Sequence, residues 1–144
     1  MANILHRILI KATPEKVYPS FATIEGLKEW WTRFITADND IAAGAILRFR
    51  FGNSGPDMKV KNIIPGKRVE WECVDGPEDW IGTKIFFDLE RHGDKSILHF
   101  GQTGWKNEND FYMHCNCRWA YFMLSIKSLI ETGHGTPYPE ALEI

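Results

Sequence analysis

At 144 residues the chain is long enough to bury a core without disulfides or metal and is expected to form one domain, residues 1–144. Seventeen basic against nineteen acidic residues, a formal net charge of −2, leave no broad positive field to hold a nucleic-acid backbone or an anionic membrane. The first apolar run, Ile4 to Ile10, is interrupted by His6 and Arg7 and followed by Lys11. It is too short and too charged for a signal peptide or membrane span, so a cytoplasmic protein is expected.

Ile4 to Lys11 reads as a strand. Thr13-Pro14-Glu15 then announces a helix, with a hydroxyl N-cap, proline in the first turn and an acid favoured by the dipole. This short helix should run to Phe21 or Ala22, with Pro19 disturbing its end. A second short helix is expected over Glu25 to Trp31, carrying the Trp30-Trp31 pair. From Ala45 to Phe51 the alternation is clear, Leu47, Phe49 and Phe51 on one face and Ile46, Arg48 and Arg50 on the other. Gly52 to Asp57 is dense turn chemistry, and Met58 to Ile64 resumes as the hairpin partner. Pro65-Gly66 turns the chain into Lys67 to Val74, where Val69, Trp71 and Cys73 share a face. Asp75 to Asp79 is the next loop. Two further strands, Thr83 to Glu90 and Lys95 to Thr103, are joined at His92-Gly93-Asp94. Such short connections predict an antiparallel meander.

The last long segment, Glu108 to Glu131, is an apolar helix pattern. Phe111, Cys115, Trp119, Phe122, Ile126 and Leu129 recur at three or four residues and stack on one face. Asn107 is placed to cap it and Gly133 to stop it in the left-handed conformation, with Pro137 and Pro139 preventing continuation. Met113, Cys117, Tyr121 and Leu124 recur on the opposite side, where a solvated helix should be polar. They suggest either cover by the tail, Tyr138 to Ile144, or a homodimer seam. Cys115 and Cys117 point about 200° apart on a helix, which disfavours both a mutual disulfide and a metal site with His114. Buried or half-buried free thiols, no metal and no cofactor are expected.

The order of strand, two short helices, antiparallel strands and long C-terminal helix resembles the helix-grip superfamily of polyketide-cyclase and START-like domains. Ile10 through Val17, Trp30-Trp31, Gly44 opening a strand, Pro65-Gly66-Lys67-Arg68-Val69-Glu70-Trp71, and Gly133-His134-Gly135-Thr136-Pro137 look more narrowly like the family named after the activator of the Hsp-ninety ATPase. The resemblance covers nearly the whole chain. It implies an α+β helix-grip fold, a curved antiparallel β-sheet wrapped around a long C-terminal α-helix, with a cavity between them in many members. One departure is Gln102-Thr103-Gly104-Trp105, where many relatives carry a histidine before the glycine.

Strand phase puts Leu47, Phe49, Phe51, Met58, Val60, Val69, Trp71, Ile85, Phe87, Leu98 and Phe100 on the concave face, opposite Trp119, Phe122 and Ile126. A filled core would use these residues equally well, since each buried aromatic removes about 150 to 250 Å² from water. Polar residues near that face are few: Asn62, Gln102, Tyr112, Asn116 and Arg118. A pocket needs only a few such groups to orient a ligand. His99 falls on the outer phase of its strand and His114 off the helix core face. Glu78-Asp79, Glu70 and Glu72 do not face one another across a cleft, and no nucleotide or hydrolase motif is present. The expected activity is binding of a hydrophobic or aromatic small molecule between sheet and helix. Phe49, Met58, Val60, Trp71, Phe87, Phe100, Trp119 and Phe122 would line the site, and Asn62, Asn116 and Arg118 would supply polar contacts. The alternatives are a cyclase or aromatase and an interaction module resembling the chaperone-activator domain.

Overall fold

The alternating strands and the apolar helix face meet in a computed structural model that describes residues 1–144. The elements are β1 (Ala2–Ile10), α1 (Pro14–Val17), α2 (Pro19–Ala22), α3 (Ile24–Lys28), β2 (Phe34–Ala37), β3 (Ile46–Arg50), β4 (Asp57–Ile64), β5 (Arg68–Asp75), β6 (Lys84–His92), β7 (Lys95–Trp105) and α4 (Asp110–Thr132). The strands form one antiparallel sheet in the order β1-β7-β6-β5-β4-β3-β2. The chain therefore has the helix-grip α+β fold, with α4 packed against the apolar face of a curved sheet.

The first departures from the sequence expectation lie early in the chain. The first helix is divided at Pro19, which opens a separate turn because it has no N–H to continue the ladder of α1. The helix expected over Glu25 to Trp31 ends at Lys28, its start capped by the Thr23 hydroxyl on Gly26 N (3.0 Å). A seventh strand, β2, pairs along β3 at the sheet edge. Its four residues are too few to display a period.

At α4 the N-cap is Asn109, whose side chain accepts from Tyr112 N (3.0 Å), two residues beyond the expected Asn107. Gly133 ends the helix at φ 89°, a left-handed conformation that a side chain would strain. The tail then returns over the tryptophan pair. Ser125 Oγ, buried on α4, donates to Trp30 O (2.9 Å) and accepts from Thr136 N (2.8 Å). Tyr138 N donates to Trp31 O (2.8 Å), Arg33 N donates to Tyr138 O (3.1 Å), and Arg33 pairs with Glu140 (2.6 Å). Gly135 passes so close to Glu29 that an added Cβ would lie 2.2 Å from its carbonyl oxygen. Two sequence motifs a hundred residues apart thus form one backbone joint.

Candidate functional site

The space between sheet and helix is occupied by side chains. Trp31, 2% exposed, lies between the layers, its ring 4.4 Å from Phe49, 5.0 Å from Trp119 and 6.1 Å from Trp71. Phe87 packs at 5.2 Å from Trp71 and 5.3 Å from Phe100, and Phe100 at 4.4 Å from Trp119. The predicted lining residues Phe49, Met58, Val60, Trp71, Phe87 and Phe100 are all fully buried in this aromatic cluster. None of them borders the cleft described next, and Phe100 alone reaches the groove on the outer sheet face.

The opening lies to one side. A cleft of about 220 Å³ runs between the first three turns of α4, the β3–β4 turn and the β5–β6 loop. Trp31, Trp119, Phe51, Phe122 and Phe111 give it aromatic walls, Trp80 and Pro77 close one flank, and Ser54, Gly55 and Pro56 form the opposite rim. His114, Cys115 and Arg118 complete it from the helix. The Arg118 guanidinium carbon stands 5.7 Å from the centre of the Phe51 ring and 5.3 Å from that of Phe122, within cation–π reach of both.

A buried polar chain sets the position of the walls. Trp119 Nε1 donates to Gln102 Oε1 (2.8 Å), Gln102 Nε2 donates to Thr83 Oγ1 (3.0 Å), and Thr83 Oγ1 donates to Trp80 O (2.6 Å). Trp80 Nε1 in turn donates to Cys115 Sγ (3.4 Å). The indoles of the helix and the loop are therefore tied through one glutamine. Burial pushes the Cys115 thiol up to about 11 and the Cys73 thiol to about 12, so both are protonated at neutral pH. Cys117 is the exposed free thiol, contrary to a half-buried expectation.

Of the eleven predicted site residues, Arg118, Trp119 and Phe122 line the cleft. Asn62 is exposed on the outer face, because a bulge between Val60 and Asn62 shifts the phase of β4 and pairs Asn62 with Glu70. Asn116 is half-buried on a different side of α4 and does not border the cleft. Sequence reasoning missed Trp31, Phe51, Trp80, Phe111, His114 and Cys115 as lining residues. His114 was set aside for lying off the core face, yet that offset is what puts it at the mouth, stacked on Phe111 at 6.3 Å. His99 keeps its outward phase, paired with Arg7 and Asp88 in an unshifted register.

A second groove, about 460 Å³, crosses the outer sheet face near Leu5, Arg7, Arg68, Phe86, Asp88 and His99. The Phe86 ring lies over Gly101, where an added Cβ would meet it at 2.2 Å. Asp88 is held by Lys67 (3.1 Å) and Arg68 (3.0 Å). This is a glycine covered by an aromatic ring, a packing device of sheets, with its acid already neutralised.

Among solved structures, the fold is similar to the Aha1 dimer from Colwellia psychrerythraea, at 44% identity and TM-score 0.85, covering 94% of this chain and 100% of that one. It is also similar to protein SSP2350 from Staphylococcus saprophyticus (12% identity, TM-score 0.77, 97% and 100% covered) and CalU16 from Micromonospora echinospora (14%, 0.73, 91% and 77%). The last two likenesses establish the fold. No curated protein matches the chain. The family model described as Activator of Hsp90 ATPase homolog 1-like protein matches residues 11–131. With that span matched and the Aha1 likeness extending over nearly the whole length, the chain belongs to the Activator of Hsp90 ATPase homolog 1-like family.

Proposed function

We propose that residues 1–144 act as one unit that binds a small aromatic or apolar molecule non-covalently in the lateral cleft, as a carrier or sensor of the cytoplasm. The observation that carries this reading is the cleft itself, about 220 Å³ walled by Trp31, Trp80, Trp119, Phe51 and Phe122 with one cation, Arg118, at its edge. That volume is below the roughly 300 to 1,000 Å³ of drug-sized sites, which points to a compact ligand. A cyclase reaction has less support, since it needs an acid or base aimed at the reacting atom. The cleft offers His114 and a Cys115 thiol that burial holds at about 11. Native mass spectrometry of protein purified from its own cells should detect a retained small molecule. A protein that carries none, and whose cleft resonances ignore a panel of one- and two-ring fragments, would remove the reading.

A second reading follows from the filled interior and the likeness to an Aha1 protein: action through the exterior as an interaction module. If it holds, adding the protein to the Hsp90 of its own cells raises ATP hydrolysis. An unchanged rate rejects it.

We further propose a homodimer through α4. Met113 (59% exposed), Cys117 and Leu124 (60% exposed) form an apolar stripe along about 16 Å of helix, at 1.5 Å per residue. The tail covers only Tyr121, whose hydroxyl accepts from Leu142 N (2.9 Å), and Leu142 itself is 65% exposed beside it. The 44%-identical Aha1 structure is a dimer, which supports pairing here. Sedimentation should show a dimer that Leu124→Glu dissociates, and a wild-type monomer at high micromolar concentration would end the proposal.

A further inference from the structure

Arg118, like Arg7 on the outer face of β1, has no acid, and of these two it is the one that borders the cleft. Arg33, Arg48, Arg50, Arg68 and Arg91 each pair with a carboxylate, whereas no ion pair and no hydrogen bond engages the Arg118 guanidinium. The carboxylate of the flanking loop, Asp79, accepts instead from Asn109 Nδ2 (3.4 Å). The Phe51 and Phe122 rings hold the guanidinium at the cleft edge without using its donors. Ser54, on the facing rim, offers a hydroxyl that bonds to no other side chain or backbone group. The cleft therefore has a cation with free donors on its helix side and a free hydroxyl on the facing rim, with aromatic side chains making up most of its walls.

We infer that the occupant is an aromatic carboxylate of one or two rings, its ring system against the cleft side of Trp31, Trp80 and Trp119 and its anionic end on Arg118. This rests on the cleft being the binding site. The volume agrees: an apolar cavity of about 150 Å³ accepts a benzene ring, and the remainder of about 220 Å³ accommodates a carboxylate and a short link. A planar guanidinium matches a carboxylate with two parallel N–H donors, which an amide of the same shape cannot exploit. Flat indole walls favour a flat ligand over a branched aliphatic one, through stacking in addition to area burial.

The test compares 3-phenylpropanoate with 3-phenylpropanamide, following the indole N–H resonances of Trp31, Trp80 and Trp119 during titration. The acid should bind about tenfold tighter than the amide, equivalent to about 1.4 kcal/mol. In Arg118→Gln the preference for the acid over the amide should disappear, and the two should bind alike. Equal affinities in the wild-type protein would overturn the anion assignment and leave the cleft as a neutral site. A preference that survives in Arg118→Gln would overturn the role of Arg118. If neither compound moves these resonances at millimolar concentration, the cleft reading fails as well.

Discussion

Replacing Trp31 by alanine tests whether the space between sheet and helix is filled by this one residue. Its ring touches Phe49, Phe51, Trp71 and Trp119 at centroid distances of 4.4 to 6.1 Å, and it is 2% exposed. Removing a buried tryptophan forfeits about 150 to 250 Å² of burial, or about 4 to 6 kcal/mol at about 25 cal/mol per Å². Partial relaxation brings the expected loss to about 3 to 5 kcal/mol. Against a total stability of about 5 to 15 kcal/mol, the variant should fold but unfold early. In urea, with a slope of about 2 kcal/mol per molar, the midpoint should fall by about 2 M. Indole should then refill the gap and recover about 1.4 kcal/mol at ten times its Kd, a larger gain than it gives the wild type. A loss under about 1 kcal/mol, or equal indole responses, would show that Trp31 is not what fills the interior.

Gln102→Leu removes the only acceptor of Trp119 Nε1 and should cost about 1 to 3 kcal/mol, the penalty of a buried unpaired donor; a urea midpoint equal to wild type would show that the polar chain is dispensable. In the Leu124→Glu variant, whose seam is open, a thiol reagent at pH 8 should titrate Cys117 alone in the native state and all three thiols after denaturation. Because folding raises the Cys115 and Cys73 values, the unfolded chain loses thiol protons first, so stability should fall as pH climbs from about 9 towards 11 and 12, measured by urea melts. Gly26→Ala should destabilise by about 1 to 3 kcal/mol, since its Cβ would sit 2.2 Å from Pro19 O and 2.7 Å from Ser20 Cα; a wild-type melting temperature would show that α2 and α3 separate freely.

What the sequence displayed was whatever repeats. The alternation of β3 and β5 and the three-and-four spacing of α4 predicted which faces are buried, because burial on one face imposes a period. The core list from Leu47 to Phe100 followed from phase alone. What stayed hidden was what breaks a period. The bulge at Lys61 adds one residue to β4 and reverses the facing of Asn62, with no glycine or proline to mark it. Trp31 lies beyond the end of α3 in a turn, so no pattern indicated that it reaches the space between the layers. Trp80 and Pro77 belong to a loop, and a loop's approach to a helix is set by tertiary contacts, here the link from Trp80 to Cys115.

The two classes of residue meet at the cleft. Periodic residues of α4, Phe111, Cys115, Trp119 and Phe122, supply part of its wall, and Trp31, Trp80, His114 and Arg118, outside the pattern, supply the rest. Two constraints fix its width. Ser125 and the returning tail hold the Trp30-Trp31 backbone against α4, and the chain Trp119, Gln102, Thr83, Trp80, Cys115 holds the β5–β6 loop against the same helix. A ligand entering between them meets walls already ordered, so it forgoes about 0.5 to 1.5 kcal/mol of ordering cost for each side chain so fixed. If the cleft binds a ligand as proposed, this order would let a space of only about 220 Å³ select for shape. It also means that loosening Gln102 should weaken binding even though its amide never touches the ligand.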